Sequence, residues 1–188
     1  ALAADRLGDR TARLFGRLTL NPAAHFDPLG GMLLLITLFL GVGFGWAKPT
    51  PVNPLNLRAG KWGEAIVAAA GPGSNLVMAV LGGLVLRLLV AANAAVPYEI
   101  YYGIYFFAAV NVLLMVFNLI PIPPLDGSKV LYSFLNPRTA WQLRPTLEQY
   151  GPLALLVAIF LPIFPGGQTF IGVVFDVVVT PLLGLIVG

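Results

Sequence analysis

The sequence predicts an all-α membrane protein, a polytopic helical bundle with a re-entrant segment and minor β-structure. The 188 residues are 58% hydrophobic and only 10% charged, with a mean hydropathy of +0.87, whereas a soluble domain carries about 25% charged residues. Several apolar runs approach the roughly 20 residues that a helix needs to cross a bilayer. Basic residues gather in some connections and avoid others, as in chains threaded through a membrane. The net charge is +3, with no basic patch interleaved with aromatics, which suits a lipid bilayer and not nucleic acid. Without cysteine, disulfide scaffolds and thiolate metal sites are excluded.

Taken in order, ALAADRLGD (1–9) reads as the last turns of a helix with Gly8 as its C-cap. It lacks the apolar core of a signal peptide, and the start at Ala1 reads as a processed or trimmed end. Leu29 to Ala47 is apolar for 19 residues, but GVGFG sets three alternating glycines in its second half. Asp27-Pro28 supplies an N-cap and a proline at N1, so a helix of about 12 residues followed by an extended stretch is expected.

The charges choose the path of that segment. Arg6, Arg10, Arg13 and Arg17 precede it, Lys48, Arg58 and Lys61 follow it, and Lys129, Arg138 and Arg144 lie in a later loop. The 93–100 connection carries only Glu99, and the 165–168 turn carries no charge. If 29–47 dips in and returns, every basic loop falls on one side, the cytoplasmic one. Irregular backbone at membrane depth is tolerated where protein buries it. Four spanning helices are expected: Glu64 to Ala95, Tyr101 to Ile120, Gly151 to Phe164 (short, with Pro162 breaking it) and Thr169 to Val187. A little β-structure is expected near Leu18 to Leu20 and Ala47 to Val52. No internal repeat or linker divides the chain, so 1–188 is read as one membrane-embedded domain with its core motifs in 64–137.

Candidate chemistry centres on NLIPIPPLDGSK, Asn118 to Lys129. Pro121, Pro123 and Pro124 remove backbone donors and push Ile120 and Ile122 out of the helical region. Such backbone must pack on protein or line a wet cavity, with Asp126 beside it. Asp126 is either the N-cap of a short helix or a metal ligand or proton carrier. Gly71, Asn75, Ala79 and Gly82 or Gly83 form a small-residue stripe for close helix packing, with Asn75 either interhelical glue or a site contact. In AKPTPVNP, Pro49 and Pro51 blunt one edge while Lys48, Thr50 and Val52 keep their donors on the other. That stretch is either an edge for adding a strand or a stiffened loop. Asp176 is expected to pair with Arg87 or with a polar helix face.

FNLIPIPPLDG resembles the N-x-x-P-x-x-x-x-D-G signature of the site-2 protease family of intramembrane zinc metalloproteases, with Asn118, Pro121, Asp126 and Gly127 on its fixed positions. GPGSN (71–75) is similar to the family's Gly-Pro-x-x-Asn motif, and GWAKPTPVNPLNLR with LTLNPAAHFDPLG resembles its compact bacterial and archaeal branch. The resemblance implies that Asp126 is the third ligand of a Zn2+ held also by two histidines of an H-E-x-x-H helix, whose Glu is the general base. This chain has one histidine and no such motif. ALAADRLGD is similar to the tail of that helix, so the motif and its general base are expected upstream of Ala1, leaving an N-terminally truncated peptidase domain with no catalytic residue of its own. The implied substrate is a membrane-spanning protein, cut in or near its membrane segment on the cytoplasmic side of a prokaryotic plasma membrane. Asn118, Asn75, Thr50 and Val52 are the implied substrate contacts. His25 belongs to the branch's pattern but is not expected to bind metal. Two rival readings are a catalytically inactive relative that binds membrane proteins, and a small proton-coupled transporter using Asp126 and Asp176, which would want an inverted repeat.

Overall fold

The computed structural model describes residues 1–19, 21–39, 45 and 47–188. They fall into two compact units, Ala1–Val67 and Ala68–Gly188.

The first unit opens with two short helices, α1 (Leu2–Arg6) and α2 (Thr11–Leu14). The expected cap is there: Gly8 takes φ +107°, which a side chain would resist, and closes α1 with Gly8 N–H to Asp5 C=O (3.1 Å) and Asp9 N–H to Ala4 C=O (2.9 Å). This delivers Asp9, fully buried, to a nest of donors. It accepts the Thr11 N–H at 3.1 Å and hydroxyl, the Asn53 N–H at 2.8 Å and the Asn56 amide at 3.2 Å. Burial alone would raise the Asp9 carboxyl, but these bonds outweigh it and hold the group at about 2. Asp9 thereby fastens the chain's first turns to the 3-10 turn Pro54–Asn56.

The helix α3 (Pro28–Phe39) has the 12 residues expected, and Asp27 caps it by accepting the Gly30 N–H at 2.9 Å. The rest of the segment read as re-entrant, 40–44 and 46, lies outside the described residues, as does Leu20. The described ends of the segment nevertheless meet. Gly45 lies so close to α3 that a Cβ there would fall 2.5 Å from the Leu34 Cβ and 2.7 Å from the Gly30 carbonyl oxygen. Lys48 N–H donates to the His25 carbonyl (2.9 Å), and the Arg17 guanidinium donates to the Ala24 carbonyl.

The β-structure expected at 18–20 and 47–52 is corrected: no strand occurs among the described residues. Local side-chain bonds take the backbone groups a ladder would use. The Thr19 carbonyl faces the His25 Nε2 at 3.0 Å, the Thr19 hydroxyl accepts the Asn21 N–H, and Asn21 caps Ala23. Asn53 turns the other stretch into its 3-10 turn by accepting the Leu55 N–H, and the Lys48–His25 bond alone is not a ladder.

Most of α4 (Gly60–Ala91) and all that follows form the second unit. This 32-residue helix runs through Pro72, which is fully buried, and Asn93 in the turn after it takes the left-handed region at φ +49°. It is followed by α5 (Tyr98–Leu119), α6 (Asp126–Phe134) and α7 (Pro137–Phe160). The last apolar helix runs as α8 (Phe170–Val174), a π-helical turn (Phe175–Val179) and α9 (Thr180–Val187). Pro181 offers no N–H to the previous turn, and Thr180 bonds five residues back, its hydroxyl reaching the Phe175 carbonyl at 3.2 Å.

Three helices, not the four expected, are long and apolar enough among the described residues to cross a membrane: Gly60–Ala91, Tyr98–Leu119 and Phe170–Val187. The missing one is α7. Its 24 residues begin with Arg138, Arg144 and Glu148, so its apolar part, Gly151 to Phe160, is too short to span. The chain is an all-α polytopic membrane protein.

The spanning helices pack through the expected small-residue stripe. Ala79 of α4, Ala108 and Val112 of α5, and Val179 and Leu183 of the last helix form one buried cluster. At Gly83 a Cβ would stand 2.4 Å from the Ile186 carbonyl oxygen. Only glycine admits α9 so close, and in lipid this contact replaces the hydrophobic effect as the source of association. Arg87 donates to the Leu185 carbonyl at the C-terminus of α9, where a cation complements the helix dipole. The expected pairing of Asp176 with Arg87 is therefore not found; Asp176 accepts from Gln168 Nε2 at 3.3 Å.

Candidate metal site around Asp126

Helix α5 stops at Leu119, and Ile120 turns extended at φ −60°, ψ 129°, as the prolines require. The chain then closes on itself more tightly than a plain extended approach: Ile122 N–H bonds the Ile120 carbonyl (2.8 Å), and Leu125 N–H bonds the Ile122 carbonyl (3.0 Å). The result brings the start of α6 onto the end of α5. A Cβ on Gly127 would lie 2.2 Å from the Leu119 carbonyl oxygen and 2.5 Å from that of Ile120, so glycine is required by simple volume.

Asp126 is the first residue of α6. The N-cap is Leu125, and no side chain caps the helix; the capping reading of Asp126 is set aside. Its Oδ1 lies 3.4 Å from the Lys129 Nζ, and the side chain is 32% exposed. Its Oδ2 lies 3.2 Å from where a Gly71 Cβ would be. The carboxylate thus faces α4 at the GPGSN stretch, with the missing side chain of Gly71 making the space.

Asn75 stands one turn after Gly71 and is half-buried. Asn118, in the last turn of α5, donates its Nδ2 to the Leu114 carbonyl of its own helix at 2.9 Å, which leaves the Oδ1 end for another partner. Asn111 is buried and bonds the Phe107 carbonyl of its own helix at 2.8 Å. Thr50 and Val52 belong to the first unit, where both are half-buried. The His25 ring engages the Thr19 carbonyl.

As a zinc ligand Asp126 fits: it is an anionic, partly exposed oxygen donor that no cap or buried network consumes. It is one ligand. Among the described residues no group of three His, Cys, Asp or Glu side chains comes together to hold a metal, so no reaction step through zinc follows from these residues alone. Sequence reading also missed a cleft of about 390 Å³ next to Asp126, lined by Pro123, Pro124, Ser128, Lys129, Tyr132, Arg144, Glu148 and Pro152. The i to i+3 spacing of Lys129 from Asp126 was its one visible signal.

The fold and the site define a class first, that of polytopic helical membrane proteins, here with a proline-broken helix end that sets one carboxylate beside a glycine of a neighbouring helix. Residues 87–162 match the family model described as Peptidase family M50. The chain is 34% identical to "Putative zinc metalloprotease YwhC" of Bacillus subtilis, over 97% of this chain and 86% of that protein. It is 37% identical to "Putative zinc metalloprotease Rip2" of Mycolicibacterium smegmatis (86% of this chain, 61% of that protein), and 33% identical to the protein of the same name in Mycobacterium tuberculosis (93% and 65%). No solved structure matches the chain. The chain belongs to peptidase family M50, the site-2 protease family. Zn2+ is accordingly the expected cofactor.

Proposed function

We propose that the chain is the membrane-embedded peptidase domain of a zinc metalloendopeptidase that cuts substrate proteins in or near their spanning segments, on the cytoplasmic side of a prokaryotic plasma membrane. The observation that carries this reading is the Asp126 carboxylate, which begins α6 without capping it and lies against Gly71. When bound, zinc supplies a Lewis acid and an acidified water. Asp126 would contribute one anionic oxygen to it from the first residue of α6.

The remaining residues act on the substrate. A peptide bond inside a helix is shielded and internally bonded, so the substrate must unwind, and each freed N–H and C=O needs a partner in the membrane. Asn118 and Asn75 offer side-chain amides beside the broken end of α5 and beside Gly71. On the edge left open by Pro49 and Pro51, the Lys48 N–H goes to His25, and Thr50 and Val52 carry the next two donors for an extended substrate strand.

The test is Asp126→Asn in the intact protein. Asn would cap a helix as well as Asp, but a neutral amide is a poor ligand for Zn2+. The expected outcome is an unchanged melting temperature with zinc content and peptidase activity both lost. Stoichiometric zinc and full activity in the folded variant would overturn the assignment.

A further inference from the structure

The cleft beside Asp126 has no place in the chemistry above. Three pieces of the second unit build it: the Pro123-Pro124 turn, the first turns of α6 (Ser128, Lys129, Tyr132) and one face of α7 (Arg144, Glu148, Pro152). The turn and α7 are in direct contact, since a Cβ on Gly151 would lie 2.6 Å from the Pro123 carbonyl oxygen. Two cations from two helices line one concavity, with Glu148 as the only lining anion. Each cation has a partner in its own helix. Lys129 meets Asp126 at 3.4 Å, and Arg144 meets Glu148 at 2.8 Å while its guanidinium lies 5.4 Å over the Tyr132 ring. Both cations are exposed, with Lys129 44% and Arg144 41% accessible, and exposed ion pairs are weak enough to exchange for a better anion.

The cleft stands at a particular level of α7. Arg138 lies before it, Arg144 and Glu148 line it, and the apolar Gly151 to Phe160 begins beside it, which sets it at the boundary between the charged and the apolar part of the helix. On α7, Trp141 stands one turn before Arg144 and is 79% exposed, and Trp favours the headgroup level. Basic pockets between membrane helices on the cytoplasmic side suit anionic lipid headgroups. We propose that the cleft lined by Lys129, Arg144, Tyr132 and the two prolines binds the phosphate of an anionic phospholipid. Arg144 grips two phosphate oxygens with its planar fork, Lys129 adds a point charge, and the acyl chains run down the apolar face of α7.

The test is native mass spectrometry of the intact protein released from micelles holding equal amounts of phosphatidylglycerol and phosphatidylcholine. The wild type should retain phosphatidylglycerol preferentially. Arg144→Gln and Lys129→Gln should each lower that retention about fivefold, as expected for one cation near an anionic surface. Glu148→Gln removes the competing anion and should raise retention, which keeps the test decisive even if Arg144→Gln fails to fold. Equal retention of the two lipids by the wild type, or retention unmoved by Glu148→Gln together with either cation variant, would overturn the proposal. Inorganic phosphate at millimolar concentration should leave the lipid bound. Its displacement of the lipid would show a free-phosphate site and overturn the lipid assignment.

Discussion

At the scale of single residues, Asp9 and Asp126 are the two most informative carboxylates, and they are opposites. Asp9 is buried and saturated with donors from Thr11, Asn53 and Asn56, which is structural work; Asp126 is partly exposed and lies beside a gap. For Asp9→Ala, the loss strands several buried donors, so a destabilisation of about 1–3 kcal/mol is expected. The pH dependence follows from the lowered carboxyl. An unfolded Asp titrates near 3.9, while the folded one sits at about 2, so the stabilisation is complete above the unfolded value and disappears as pH falls through the folded one. Melting temperatures of wild type and Asp9→Ala measured from pH 7 downward should stay a constant gap apart until near pH 4 and converge toward pH 2. A gap that persists at pH 2 would mean that the charge is not what Asp9 contributes.

At the scale of elements, glycine decides how close the helices come. Gly83 stands where a Cβ would collide with the Ile186 carbonyl, while Gly73, ten positions earlier on α4, has open space around it. Gly83→Ala should therefore push α9 outward and cost about 1–3 kcal/mol, whereas Gly73→Ala should be neutral or slightly stabilising because alanine favours the helix. Thermal unfolding of the two variants in detergent checks the contrast, and equal melting temperatures would remove the packing role given to Gly83. These helices were legible in the sequence because run length, proline and the small-residue stripe are local signals. The start of α3 was legible for the same reason, since Asp27-Pro28 states its own cap. The fourth span failed because apolar residues on both sides of Pro162 were joined, whereas the helix stops at Phe160 and the part before Gly151 carries Arg138, Arg144 and Glu148. The β-structure failed because Thr19, Asn21 and Asn53 bind backbone locally, a competition that hydrophobic alternation does not reveal. Of the cleft only the Asp126–Lys129 spacing was visible in the sequence, because its other wall depends on Gly151 letting α7 touch Pro123, a contact 28 residues apart.

At the scale of the whole molecule, the decisive matter is how the chain is threaded. Arg17 donates to Ala24 and Lys48 to the adjacent His25, so the entry and exit of the 29–47 segment share one end of the first unit. Arg17 and Lys48 are expected on the same face of the membrane. Cysteines placed singly at these positions in intact cells should both resist an impermeant thiol reagent added outside and both react once the membrane is opened. Labelling of just one from outside would establish that the segment spans. The chain contains no native cysteine to confuse the reading.

The contact of Gly127 with the end of α5 has a mechanical consequence. With 2.2 Å between a would-be Cβ and the Leu119 oxygen, no slack exists between the spanning helix and the turn that carries Asp126. The joint is a stiff elbow, not a hinge. A spanning helix changes its tilt when the bilayer grows thicker or thinner, and an elbow without slack passes that tilt to the carboxylate at its far side. The thickness of the surrounding lipid is therefore expected to bear on where the Asp126 carboxylate stands, and zinc content unchanged across bilayers of different thickness would show that it does not.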